Sequence, residues 1–140
     1  MGGVDSTGTV SVSNATTTRM QYDAQGRDID SVVIETAGRL TFTFDKGDIN
    51  IRQLRTSVAG RKEPGWSAIG GGYTLTDGLI VNGSKILSKG GVKPLVRRAR
   101  GFEVLVTNAS GGDLEFTVDV YYSGGPGDED LAEVTGWKRG

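Results

Sequence analysis

Leu114, Phe116, Val118, Val120 and Tyr122 fall on every second residue, and no other feature constrains this chain as tightly. Glu115, Thr117, Asp119 and Tyr121 fill the gaps. Side chains alternate across a strand, so the first set lines one face and the second set the other. On a helix the same residues would scatter around the cylinder, so the period selects a strand. Phe102, Val104 and Val106 repeat the pattern, with Glu103, Leu105 and Thr107 facing the other way. Between them, Asn108-Ala109-Ser110-Gly111-Gly112-Asp113 accepts turn geometry, and Gly101 to Tyr122 reads as a β-hairpin. Its apolar face needs cover from other strands, because burying each such side chain is worth roughly 1.5–3 kcal/mol and a lone hairpin offers no burial.

The 140 residues suit one domain with a real core. Glycine stands at 23 against three prolines, spread between short apolar runs, which predicts many tight turns. No window sustains a helical period. The sequence holds no cysteine, so disulfides and thiolate sites are excluded. The N-terminus shows no signal-peptide core and no apolar run is long enough to span a membrane, so a soluble protein made in a cytoplasm is expected. Sixteen basic residues against seventeen acidic ones favour neither nucleic acid nor a cationic partner.

Taken in order, residues 1–26 are polar and read as an N-terminal arm, with one short strand over Thr9 to Ser13. Residues 27–123 read as a β-sandwich domain. Ile29 to Thr36, Leu40 to Phe44 and Ile49 to Leu54 form a three-stranded meander, joined through Ala37-Gly38-Arg39 and Asp45-Lys46-Gly47-Asp48. Arg55 to Gly72 is a long irregular connection. Tyr73 to Leu75, Leu79 to Val81 and Lys85 to Leu87 are short strands, split by Thr76-Asp77-Gly78 and Asn82-Gly83-Ser84, and Val92 to Ala99 is a further edge candidate. Residues 124–140 form a C-terminal arm. Gly124-Gly125-Pro126-Gly127 opens it, and Asp128 to Asp130 suits the start of a helical turn carrying Leu131, Val134 and Trp137 on one side. The expected fold is all-β, an antiparallel β-sandwich (jelly roll) of about eight strands with extended N- and C-terminal arms.

Histidine is absent, which removes Ser-His-Asp arrangements, most zinc sites and the commonest general base. Carboxylate pairs of the kind a glycosidase uses exist on paper: Asp28 with Asp30, Asp45 with Asp48, Glu103 with Glu115 or Asp119. Surface and turn chemistry explains them more simply. Asp77 and Asp128 to Asp130 lack calcium-loop spacing. Gly70-Gly71-Gly72 and Gly90-Gly91 lack the closing Lys-Ser/Thr of a phosphate loop. No catalytic residue, cofactor site or metal site is assigned. Asn14, Asn82 and Asn108 head glycosylation sequons that chance accounts for. Arg97, Arg98 and Arg100, with Arg52, Arg55, Arg61 and Lys62, are candidates for a basic face meeting an acidic protein surface. Trp66 and Tyr73, with Trp137, are candidates for a sugar-stacking platform, but Trp137 is read first as an anchor on a neighbour.

In size, in the Leu40 to Phe44 and Leu114 to Tyr122 alternations, and in its two polar ends, the chain resembles the jelly-roll cement or decoration proteins of short-tailed bacteriophage capsids. The resemblance implies a structural, non-enzymatic virion protein on the outer capsid surface. It would bind the major capsid protein across subunit joints, as a homo-oligomer (dimer or trimer), with no nucleic-acid or membrane partner. Arg97, Arg98, Arg100, Leu131, Val134 and Trp137 are the expected partner-binding residues. The alternative is a carbohydrate-binding or fibre-type module.

Overall fold

A computed structural model of the chain describes residues 2–45, 55–56, 66–69, 72–75, 79–88, 98–124 and 136–139. Among these residues the regular structure is all strand, and every pairing is antiparallel. The strands are β1 (Gly2–Ser6), β2 (Val10–Val12), β3 (Thr16–Asp23), β4 (Asp28–Asp45), β5 (Arg55–Thr56), β6 (Trp66–Ile69), β7 (Gly72–Leu75), β8 (Leu79–Ser88), β9 (Gly101–Asn108), β10 (Leu114–Ser123) and β11 (Trp137–Arg139). The main sheet runs β1-β10-β4-β9-β3-β11, with β2 also on β10, β8 on β4 and β5 on β8. β6 and β7 pair separately.

The expected all-β, sandwich-like fold is present, and the sheet nearly closes into a barrel. Its two end strands meet across the interior, where the Trp137 indole N–H of β11 donates to the Asp5 carbonyl of β1 at 3.0 Å. The stretch expected as an N-terminal arm is sheet. β1 and β2 lie along β10, and β3 lies along β9 over its whole length. In β3 the alternation is masked by chemistry, because Thr18 shares the buried face with Met20 and Tyr22 while Arg19 and Gln21 point out.

β4 organises the rest. Two connections expected from the sequence are interior features of long strands. β4 runs unbroken through Ala37-Gly38-Arg39, and β8 through Asn82-Gly83-Ser84. At this level the β4–β8 register shifts between Glu35 and Arg39. Gly83 takes a φ of 108°, and its N–H is satisfied by the Thr36 hydroxyl at 2.9 Å. The irregularity marks where β4 changes partner. Residues 28–36 pair with β10 and residues 41–45 with β9. A second irregularity, opposite Tyr121 and Tyr122, lets Ile29 and Val32 both face inward although their numbers differ in parity.

The Gly101–Tyr122 stretch supplies the two expected strands, but they are not a hairpin. β9 lies between β4 and β3, and β10 between β4 and β1. The link between them is held by Asn108, which is fully buried and donates through its side-chain amide to Val12 O and Gly112 O at 2.9 and 2.8 Å. A turn-rich link is compatible with either arrangement, and it is the shared use of β4 that separates the strands. The alternating residues do form the core as expected. Val104, Val106, Val118 and Val120 are fully buried, and Phe116 meets Phe42 edge-on at 5.6 Å between ring centroids. The expected strand over Ile49 to Leu54, residues 92–97 of the expected Val92 to Ala99 strand, and the turn at Lys46 to Asp48 lie outside the described residues. The described end of the Val92 to Ala99 stretch, Arg98 and Ala99, is not strand.

Candidate functional site

Among the described residues the most unusual side chain is Arg27, fully buried. The turn after β3 carries it inside. Gln25 and Gly26 adopt φ values of 55° and 79°, and the Gln25 N–H is held by the Asp23 carboxylate at 3.0 Å. The turn is laced to the segment before β9 by Ala24 N–H to Arg100 O, Gly26 N–H to Ala99 O and Ala99 N–H to Arg27 O, all 2.8–2.9 Å.

Inside, the guanidinium donates from Nε to Ala24 O at 3.1 Å and from Nη2 to Asp5 Oδ2 at 2.7 Å. Its plane of charge lies over Tyr122, with Cζ 3.7 Å from the ring centroid, a close cation–π arrangement. The Tyr22 hydroxyl donates to the same Asp5 Oδ2 at 2.8 Å. Trp137 completes the cluster with its bond to Asp5 O and its packing on Tyr22 and Phe102. Arg27 Nη1 is buried and has no hydrogen-bond partner among the described residues. Burial pushes the Tyr22 phenol well above its ordinary value, and the bond it gives Asp5 pushes the same way. Burial pulls the Arg27 guanidinium down, but its bond to Asp5 and the neighbouring Tyr22 outweigh this and the net direction is upward. The phenol therefore stays protonated and the guanidinium charged. The cluster holds charge in place, and neither group exchanges a proton near neutral pH.

Two hollows flank it. One, of about 520 Å³, lies over Tyr22, Gly136 and Trp137 and is rimmed by Gln21, Gln25 and Lys138. The other, of about 380 Å³, lies on the outside of β1 and β10 between Val4, Tyr121, Asp30 and Ser31. Val4 and Tyr121 are register partners and are 48% and 43% exposed, which makes them an apolar step on the outer face of the sheet.

The residues expected to bind a partner fare differently. Trp137, expected as an anchor on a neighbour, is buried in its own molecule and belongs to a strand, not to a helical turn. Its ring finds an aromatic slot and its N–H a buried carbonyl, so folding back satisfies both ends of the indole. Leu131, Val134 and Arg97 lie outside the described residues. Arg98 and Arg100 are exposed on either side of buried Ala99, and the Arg98 N–H is held by Asp28 Oδ1 at 2.7 Å.

The carboxylate pairs resolve into structural partners. Asp28 takes the Arg98 N–H, and Asp30 accepts from the Ser123 hydroxyl at 3.2 Å. Glu103 is buried beside Arg19 at 3.3 Å and Gln21 at 3.4 Å. Because β9 and β10 do not pair, Glu103 has no cross-strand relation to Glu115 or Asp119. Asp48, Asp77 and Asp128 to Asp130 lie outside the described residues. Sequence reasoning missed Asp5, Tyr22 and Arg27, and only the Met20–Tyr22 alternation hinted at them.

A scan against protein-family models finds no match to this chain, and a search of the curated proteins finds none either.

Proposed function

We propose that this chain is a structural, non-enzymatic virion protein that binds the outside of a phage capsid and cements neighbouring major capsid subunits. The capsid as partner comes from the resemblance in size and strand pattern. What the structure adds in support is the contact face. The exposed Val4–Tyr121 step, with its hollow beside Asp30 and Ser31, is where an apolar knob from a partner would seat. The face sits on β1 and β10, two strands rooted in the core, so it is rigid before contact and loses little entropy on binding. With Trp137 folded inward, the work given to trailing ends passes to this face. Asp5, Asp23, Asp28, Asp30 and Glu103 each hold a turn, a strand or a buried partner.

A carbohydrate-binding or fibre-type module is the second reading. It is favoured by the β6–β7 ribbon, whose register sets Trp66 opposite Leu75 and Tyr73 opposite Ala68, two diagonal positions of one small sheet.

The test is association of the purified protein with capsids lacking it, using wild type and Tyr121→Asp. The reading expects wild type to bind and Tyr121→Asp to bind at least about tenfold more weakly, the loss of ~1.4 kcal/mol or more. Failure of the wild type to bind any capsid, together with glycan binding lost in Trp66→Ala, would transfer the assignment to the second reading.

A further inference from the structure

We propose that β11 is an exchangeable strand, and that the slot it fills between β3 and β1 is a docking site for the C-terminal strand of a second copy of this chain. The slot belongs to residues far from β11 in sequence. Tyr22 and Phe102 form its aromatic floor, Asp5 O its acceptor, and the Asp23 backbone a wall so close that only a glycine fits at position 136.

The strand itself is short and is held differently on its two sides. Toward β3 it makes main-chain pairs, Trp137 with Tyr22, Lys138 with Gln21 and Arg139 with Met20. Toward β1 and β2 the bonds come from side chains, Trp137 Nε1 to Asp5 O and Arg139 Nη2 to Ser11 O at 3.3 Å. Besides these contacts the Asp23 N–H donates to Gly136 O at 2.9 Å. β11 is a three-residue strand at the end of the sheet's path, so it separates without breaking the pairing of any other two strands.

The chain leading to it is long for its task. β10 ends opposite Asp28 and Gly136 sits against Asp23. Those two residues are five apart in sequence, hence at most roughly 18 Å apart, whereas the stretch 125–135 spans up to roughly 36–40 Å when extended. The linker is therefore long enough not to confine β11 to its own slot. The same contacts form within one chain or between two, so exchange costs only the difference in effective concentration. Exchange would also yield the homo-oligomer that cementing calls for, although it stands without the capsid reading.

The natural absence of cysteine makes the test clean. Gln21 and Lys138 are exposed register partners, and directly opposed antiparallel residues lie about 4.5–5.5 Å apart between Cα atoms, a spacing that suits a disulfide. Full-length Gln21→Cys and full-length Lys138→Cys proteins are mixed at high concentration and oxidised. The proposal expects a covalent 21–138 heterodimer that is absent when Lys138→Cys also carries Trp137→Ala, and absent when Glu115→Cys replaces Lys138→Cys as a collision control. A Gln21→Cys/Lys138→Cys double variant that closes within one chain, while the mixed singles give no heterodimer above the control, overturns it. Failure of both would overturn it too, since β11 would then not lie beside β3. Neither result bears on capsid binding by wild type.

Discussion

Two regions of the interior hold the sheet together by opposite means. Phe42, Phe116, Val104 and Val118 belong to one cluster of buried apolar side chains. At the other pole, where β1, β3 and β11 meet, the sheet is held by a buried guanidinium, a carboxylate, a phenol and an indole. The apolar pole gains from removing surface from water and tolerates shape-conserving exchange. The polar pole gains little net energy from its ion pair, because desolvating both charges offsets their attraction, yet losing either partner is severe. The comparison teaches that strands with good alternation close themselves, while the weakly apolar ends of this chain are positioned by directional bonds. Asp5 alone touches three separate parts of the chain through Arg27, Tyr22 and Trp137.

The largest effect expected on the polar side is from Arg27→Met, which leaves Asp5 buried and unpaired. A loss of about 3–5 kcal/mol is expected by denaturant unfolding. Adding Asp5→Leu to it should recover part of that loss, and strict additivity of the two would break the claim that they act as a unit. On the apolar side Phe42→Ala should cost a similar sum, about 3–5 kcal/mol, with a partner-independent cost that adds to that of a distant change.

Tyr22→Phe removes one donor from Asp5 and should cost about 1–3 kcal/mol. It also sharpens the comparison through pH. The folded phenol is raised above its ordinary 10.0, so the folded state keeps a proton the unfolded state releases. Stability is thus fully present below pH 10 and falls as pH rises beyond it. Wild type should lose stability in that range by more than Tyr22→Phe does, measured as the midpoint of urea unfolding against pH. Smallest of all, Val4→Ser should shift stability by no more than about 0.5 kcal/mol, because its side chain lies half outside.

The same division decides what was legible in the sequence. The core strands were readable because Leu40 to Phe44 and Leu114 to Val120 alternate apolar with polar residues. β3 was not, because its buried face begins with Thr18 and its outer face carries Thr17, Arg19 and Gln21, a pattern of polarity that also suits an arm. Arg27 was invisible, since nothing in a linear sequence distinguishes a buried arginine from a solvated one. The β9–β10 pairing failed because local turn chemistry reports that the chain reverses, not which strand lies beside it. The Ala37-Gly38-Arg39 and Asn82-Gly83-Ser84 signals were real but marked paired irregularities facing each other across β4 and β8, where a break in the apolar pattern looks the same as a turn.

The central claim is that both ends of the chain are strands of one sheet, closed by the Asp5 cluster. Native-state amide hydrogen exchange on the wild-type chain tests it most directly. The account predicts slowed exchange over residues 2–6 and 136–139, and its loss in both segments together in Arg27→Met while residues 40–44 stay protected. Exchange at the rate of unstructured chain in either segment of the wild type would contradict it.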